Sequence, residues 1–562
     1  MLPALRHSLR HSLLLLLSLT LAPSSGLQPR SRRVSPPLDV DVLVYGATPA
    51  GVLAALGAAG EGASVALLDP RGWVGGMMTG GLAVTDIGVT TAVIGGRTRA
   101  FFEAVGRHYD NRTSGAQYNF EPHVAEAIFL WQLAQAPNVT VRLSSRIAAL
   151  SGGAGAGGRH VTGATLADGS ALTAAVLVDA TYEGALLPLA GVSFTSGREA
   201  AAAWGESVAG VTPAPHPVWS PDHPLTTQPQ PWVGVSGRDA AGAPLPGLAP
   251  APGPVGSGDA MVQSYSFRAT LTWDAANMVR PWPRPEGYNA SLYGLQLQAI
   301  AARNLTRFAE VLSISQASPI VPGIAKVDWN NHYLSQFYLA GGYPAAVAAN
   351  DWGAQQAIWD AHRAALLGLF YFLATDAAVP ASIRDSAYEY GLAADEHAAC
   401  GHWPCQLYVR EALRLQGAYV FTQADVEGGA PQPDSVGRGA YTIDVMHGAC
   451  FLARNASSGA EGVLCEGGFQ APSWLNKTLA PFQIPLRALL PKPEEAANLL
   501  VPVALSSSHV GFNAVRLEPT WMTLGESAGV AAAWAAARTG GDAHALNVYE
   551  LQARLWELGQ VL

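Results

Sequence analysis

Lysine is nearly absent from this chain of 562 residues, occurring only at Lys326, Lys477 and Lys492. With 33 Lys and Arg against 42 Asp and Glu, and a net charge of −9, there is no basic tract to track a phosphate backbone, which argues against nucleic acid as a partner. Cysteine is scarce as well: Cys400, Cys405, Cys450 and Cys465 are the whole complement. No C-x-x-C and no zinc-type spacing occurs, so no metal site is assigned. The close pairs 400/405 and 450/465 suit an oxidising compartment, although three connectivities, or free buried thiols, stay open. There is no internal repeat. The N-terminal apolar run, Leu13 to Ala22, is too short to span a membrane comfortably, and no span is expected in the mature chain.

That run follows Arg6 and Arg10 and leads into the small residues Ser24-Ser25-Gly26, the pattern of an export signal with the mature chain beginning near Leu27. Six N-x-S/T sequons, at Asn111, Asn138, Asn289, Asn304, Asn455 and Asn476, take up six of only 14 asparagines. Combined with a signal, they imply passage through a glycosylating compartment and surface positions for those residues. The expected location is secreted or lumenal.

From Asp39 to Pro70 the residues read as a dinucleotide-binding unit. The apolar strand Asp41 to Tyr45 leads into Gly46-Ala47-Thr48-Pro49-Ala50-Gly51, then an alanine-rich helix, then a second strand ending on Asp69. Such a site needs a tight turn at Gly46, a close helix–strand contact at Gly51, and a pyrophosphate on the unpaired amides of the helix N-terminus, with Asp69 at the ribose. The middle glycine of G-x-G-x-x-G is Thr48. Context compensates: strand before, helix after, and an acidic residue 18 positions past Gly51. The glycine-rich segment Pro70 to Gly81, with Arg71, Gly75, Gly76 and Met77, is a second expected contact, since glycines permit close backbone approach and present amides to anions.

At 58.5 kDa the chain exceeds one ordinary core. Helical spacing marks 94–109 and 121–135, strand alternation marks 139–146, and a hairpin is expected from His160 to Asp179 around Asp168-Gly169. Residues 211–259 are rich in proline, glycine and alanine and read as an irregular insertion. Met261 to Thr272 reads as a strand, and 292–312 and 352–375 as helices. Leu499 to Leu505 reads as a buried strand, and Gly525 as the residue opening a helix from Glu526 to Arg538. The expectation is an α/β fold: a Rossmann-like nucleotide domain over 38–200 and 486–562, interrupted by a mixed α+β substrate domain over 201–485, preceded by a signal (1–26) and a linker (27–37).

The strand and turn through Gly51, Gly75-Gly76, Asp179-Ala180-Thr181, Gly401-His402-Trp403-Pro404, Tyr408-Val409-Arg410-Glu411, Tyr441 with Asp444, Asn498 to Pro502, Ser506 to Val510 and Arg516 to Pro519 together resemble the FAD-dependent oxidoreductase family. This family lies within the glutathione-reductase-like flavoproteins, and its members are sometimes labelled xanthan-lyase-like. The likeness spans Asp39 to Ala537. It implies FAD, with Gly46, Gly51 and Asp69 on the adenosine half, Gly75 and Gly76 at the pyrophosphate or flavin edge, and Gly525 with the following amides at the isoalloxazine end; Thr48, Pro49, Ala50, Arg71, Met77 and Asp179 are further expected cofactor contacts. Tyr182-Glu183 stands where related flavoproteins often show Gly-Asp.

The substrate does not come with the fold. A flavin enzyme needs a base and positive potential near the ring; Arg516 and a helix N-terminus suit the second need. His509 is the first candidate base, followed by His402 and His447, because histidine titrates near working pH. Strand alternation would put Tyr441 and His447 on one face with Asp444 opposite. Tyr408, Arg410, Glu411 and Arg414 read as the start of a helix able to hold a carboxylate or sugar hydroxyl, and Asn330, Asn331 and His332 as a polar loop suited to a sugar. The leading expectation is a secreted FAD-dependent oxidase or dehydrogenase of a small organic or carbohydrate substrate. The alternatives are a lyase-like carbohydrate enzyme on the same fold, or a non-catalytic binding protein.

Overall fold

The strand Leu38–Tyr45 (β1) buries Val42, Leu43 and Val44 completely, with neighbours on both edges and both faces. Full burial of such a side chain contributes about 1.5–3 kcal/mol, which is why the run is continuously apolar rather than alternating. In this computed structural model the described residues are 38–109, 115–155, 158–212, 232, 234–330, 333–428, 431–454, 459–471 and 480–562. The signal, the linker and the sequons at Asn111, Asn455 and Asn476 lie outside them, as do Asn331, His332 and residues 213–231 of the insertion.

After β1 come the helix Pro49–Gly60 (α1), the strand Val65–Leu68 (β2), the short helix Gly76–Gly80 (α2), and the helices Gly96–Tyr109 (α3) and Pro122–Ala134 (α4). The strands Val139–Arg142 (β3), Ile147–Gly155 (β4), Gly158–Leu166 (β5) and Ala171–Asp179 (β6) follow. They form one sheet in the order β3-β2-β1-β6-β5-β4, parallel from β3 to β6 and antiparallel beyond. β1 pairs Tyr45 with Leu68 on one side and with Asp179 on the other. The chain order reverses across β1, and that switch point at the strand ends is where α/β sheets place ligands.

The middle of the chain forms a second, antiparallel sheet from Ala269–Thr272 (β7), Met278–Val279 (β8), Lys326–Trp329 (β9) and Gly391–Ala393 (β10), in the order β9-β7-β10-β8. Only the last four residues of the expected 261–272 strand form the strand itself, with Ser266 in an isolated bridge to Tyr408. The expected helix 292–312 is broken into Gly294–Arg303 and Phe308–Leu312, because Asn304 takes a left-handed φ of 56° and closes the first piece. The helix Trp352–Thr375 (α5) has the expected limits, capped by Asp351 onto the Ala354 amide.

The chain then returns to the first sheet. Leu499–Leu500 (β11) pairs with the C-terminal half of β6, while β5 takes its N-terminal half; the remainder of 499–505 is irregular. The helices His509–Val515 (α6) and Glu518–Arg538 (α7) follow. The expectation for Gly525 is corrected here: it lies in the middle of α7 and does not open it. Its role is steric. A Cβ at Gly525 would meet the Ala50 carbonyl oxygen at 2.2 Å, one at Gly529 the Ala54 oxygen at 2.0 Å, and one at Gly57 the Glu526 oxygen at 2.8 Å. Three glycines thus let α1 and α7 touch backbone to backbone.

The cysteines pair as Cys400–Cys405 and Cys450–Cys465, the second across an antiparallel ladder. Asn289 and Asn304 stand exposed, as a sequon requires. Asn138 does not: it is half-buried, and its amide donates to the carbonyls of Ala59 (3.0 Å) and Ala63 (2.7 Å). No helix among the described residues is long and apolar enough to cross a membrane.

Replacing Gly529 by Val forces one helix off the other, because the clashing atoms are backbone and have no rotamer to yield. A loss of about 1–3 kcal/mol or more is expected. It would read as a lowered apparent Tm in thermal melts, whereas Gly341→Ala, where nothing lies within 4 Å of a Cβ and φ is not left-handed, changes Tm far less.

Candidate active site

The turn after β1 is built by three constraints. Gly46 has φ 102°, and a Cβ there would lie 2.7 Å from the Ala180 carbonyl carbon; one at Gly51 would lie 1.8 Å from the Gly46 oxygen. Thr48 is the N-cap of α1. Its hydroxyl accepts from the Gly51 amide (3.1 Å) and donates to the Ala180 carbonyl (2.8 Å), pinning the turn to the end of β6. A glycine could do neither. Pro49 has no amide proton, so Ala50 carries the first-turn N–H available to a ligand. The Gly75 amide donates to Ala47 (2.6 Å), which brings the glycine-rich loop against the turn.

A cleft opens where these strands end, lined among others by Gly46, Thr48, Asp69, Arg71, Gly76 and Glu183. Asp69 accepts from the Ala47 amide (2.6 Å) and the Arg71 amide (2.7 Å); burial nevertheless pushes its carboxyl up to about 7. Arg71 lies 3.3 Å over the Trp359 ring and 4.5 Å over that of Trp352, with a bond to Gln356 (2.9 Å). α5, from the middle of the chain, therefore closes this end. Asp179 is turned away: its oxygens accept from Thr181 and from the Leu186 amide (2.8 Å), so it shapes the loop after β6 rather than lining the cleft.

A second, smaller cavity is lined by the next residues of the same loop. Gly76 lines the cleft, and its neighbour Met77 lines the cavity, together with Thr85, Asp86, Tyr408, Arg516 and Glu518. The Met77 amide donates to the Tyr182 oxygen (2.9 Å), and the Tyr182 hydroxyl donates to Glu518 Oε1 (2.6 Å). Arg516 donates to the Asp444 backbone (2.8 Å), Asn513 (3.1 Å) and the Tyr408 oxygen (2.9 Å), so its partners are not Glu518. Asp86 stands exposed at the mouth, and partial desolvation raises its pKa. Asp86 is not legible as a site residue in the sequence, and Tyr182 and Glu518 stand there only as parts of motifs, without a role. The acidic residue directly before Pro519 at a helix start was the readable signal for Glu518.

The three histidines fall elsewhere. His509, the first residue of α6, is buried, with Nδ1 2.8 Å from Glu411 and Nε2 without a partner, and it lines neither cavity. His447 is buried with both ring nitrogens unpartnered, and burial lowers its pKa to about 4. Tyr441 bonds Asp444 (3.3 Å) rather than facing away from it, because only Ile443–Val445 is strand. His402 is half-buried beside the Cys400–Cys405 disulfide, its Nδ1 3.2 Å from the Glu396 carbonyl. Close by, Glu121, His123 and Glu396 bring their donor atoms together, and the Lys326 ammonium supplies the cation there, 2.5 Å from Glu121 and 2.9 Å from Glu396. Arg410 and Arg414 are not a solvated helix face. Both are buried in extended chain, Arg410 donating to Ser264 and Ser266, Arg414 to Glu411, Glu199 and Gly197.

The sequence profile of the family described as FAD dependent oxidoreductase matches residues 41–555. The chain belongs to that family. It is an FAD-dependent oxidoreductase, and its residues fit the cofactor: the Gly46–Gly51 cradle leaves no room for a Cβ, and Glu518 Oε2 is a buried oxygen with no protein partner. No curated protein matches the chain. Solved structures similar to parts of it include THI4 of Thermovibrio ammonificans, at 21% identity over 29% of this chain and 66% of that one, TM-score 0.21. OxyS anhydrotetracycline hydroxylase of Streptomyces rimosus shares 15% identity over 29% and 38%, TM-score 0.20, and GidA of Aquifex aeolicus 16% over 25% and 24%, TM-score 0.18. The chain spans less than two-thirds of the length of each.

Thr48→Val removes both hydroxyl bonds at the turn and is expected to cost about 1–2 kcal/mol and to lower the flavin retained per protein. Thr48→Ser keeps both bonds and restores both readings, Tm by thermal melt and flavin by absorbance after acid extraction.

Proposed function

We propose that the protein is a secreted oxidase or dehydrogenase that binds FAD along the track from Asp69 to Arg516 and oxidises a small organic or carbohydrate substrate at the Arg516 end. The observation that carries this reading is that the two cavities are lined by consecutive residues, Gly76 and Met77. The adenosine half lies against Gly46, Thr48, Ala50, Asp69 and Arg71, and the segment 201–485 acts as the substrate domain, with Trp352 and Trp359 sealing the adenosine end through Arg71. Two disulfides, the apolar N-terminal run and the exposed sequons at Asn289 and Asn304 support export.

When bound, FAD supplies the two-electron acceptor. The protein's part is charge and protons. α7 starts at Glu518, so its N-terminal dipole, rather than anything at Gly525, points at the ring end of the track. Arg516 adds a fixed positive charge beside it. Arg516 can only donate to Tyr408, so the phenol keeps its own proton to offer a substrate oxygen. Asp86, with its pKa raised and its carboxyl exposed at the cavity, is the group placed to take a substrate proton; His509 is paired with Glu411 and lines neither cavity.

A yellow secreted protein that releases FAD on acid extraction, and that consumes oxygen and forms peroxide in a screen of sugars and small alcohols, is the expected result. An unsaturated sugar formed without oxygen uptake would overturn the oxidase reading in favour of a lyase. With the substrate in hand, Asp86→Asn should lower kcat/KM by roughly 10²–10⁴-fold while leaving the flavin content unchanged, as measured by steady-state kinetics and absorbance.

A further inference from the structure

The proposed reaction leaves one buried acid unused. Glu518 is 5% exposed, and the hydrogen bonds around it have a fixed direction. The Met77 amide gives its proton to the Tyr182 oxygen, Tyr182 gives its own to Glu518 Oε1, and Oε2 has no protein partner. An acid at a helix N-terminus is ordinarily stabilised as the anion. Here desolvation wins and pushes the carboxyl up to about 8, against the pull of the Tyr182 hydroxyl. Arg516, two residues away, is spent on Asp444, Asn513 and Tyr408 and lends Glu518 no hydrogen bond. Tyr182 is the titratable side chain in hydrogen-bond contact with it among the described residues; Asp86, Tyr408 and Arg516 share its cavity.

A neutral carboxyl whose Oε1 already accepts carries its proton on Oε2, the oxygen without a protein partner, on a residue that lines the cavity. We propose that Glu518 is the proton-holding ligand of the cofactor's ring: its Oε2–H donates to an acceptor atom on the pyrimidine edge, and the same proton passes to that acceptor when negative charge builds there. The carboxylate that remains is stabilised by the Tyr182 hydroxyl and the first amides of α7. The proposal rests on the reading that this cavity receives the ring end of FAD.

The test uses the flavin-loaded protein and its Glu518→Gln and Tyr182→Phe variants. Difference infrared spectra of the parent should show one neutral-carboxyl band lost with a midpoint near pH 8, and the flavin absorbance should shift with the same midpoint. Glu518→Gln, which keeps a donor but has no proton to release, should lack the band and flatten the absorbance response. Tyr182→Phe should move both midpoints up by roughly one unit, because the anion loses a donor. Stability gives a reading without colour. The folded pKa is raised, so the contribution of Glu518 is full below about 4.5 and is lost as pH rises through about 8; Glu518→Gln should remove that fall from the pH profile of Tm. A carboxyl band with that midpoint near pH 8 that persists in Glu518→Gln, or an absorbance response unchanged by it, overturns the proposal; the bands of Asp69 and Glu526, with midpoints near 7, remain in both proteins. A protein that purifies with no flavin overturns the cofactor reading instead.

Discussion

The backbone contact between α1 and α7 is the constraint on which the rest depends. Helices usually pack 8–10 Å apart through interlocking side chains. These two bring main-chain carbonyls against glycine Cα atoms at Gly525, Gly529 and Gly57, and nothing larger fits. One helix begins at Thr48, under the phosphate turn; the other begins at Glu518, at the ring end. Their close approach therefore sets the distance between the two ends of the proposed cofactor track, where two helix N-termini would favour a ligand carrying negative charge between them. The alanine content of both helices follows from the same need, since large side chains would hold them apart.

Charge is handled sparingly around this contact. Acids that line or support the track are pushed towards neutrality by burial: Asp69 to about 7, Glu526 to about 7, Asp179 to about 6. Arginines nearby are instead paired and hydrogen-bonded, as Arg516 is by Asp444 and Arg268 by Asp328. A buried ion pair of this kind is weak evidence of stability but good evidence of fixed geometry, because removing either partner strands a charge. The result is a cavity wall whose positive groups are immobile and whose acids can change state.

What the sequence makes legible here is local. The β1 turn, β2, the hairpin at Asp168-Gly169 and α5 all follow from short-range patterns, and the profile spanning 41–555 agrees with the resemblance read from the motifs. Gly525 misleads because a glycine before a small-residue run has two physical meanings, an N-terminal opening or a close contact, and only the partner helix tells them apart. Arg410 and Arg414 look like a helix face at spacing four, yet they are buried in extended chain, where Glu199, distant in sequence, joins the nearby Glu411 to make burial tolerable for Arg414. The histidines were chosen by residue type; their distance from the cavities depends on tertiary packing that periodicity does not carry. Thr48 is the instructive exception. It looks like a blemish in a glycine motif and is the cap that joins α1 to β6.

The return of the chain to its first sheet has a consequence for biogenesis. β1 and α1 are synthesised well before the partners that complete their packing, β11 and α7. Until those follow, the small-residue face of α1 has nothing to lie against, and contacts between segments this far apart in a chain form slowly. The proposed flavin site is accordingly complete only after α7 has been made.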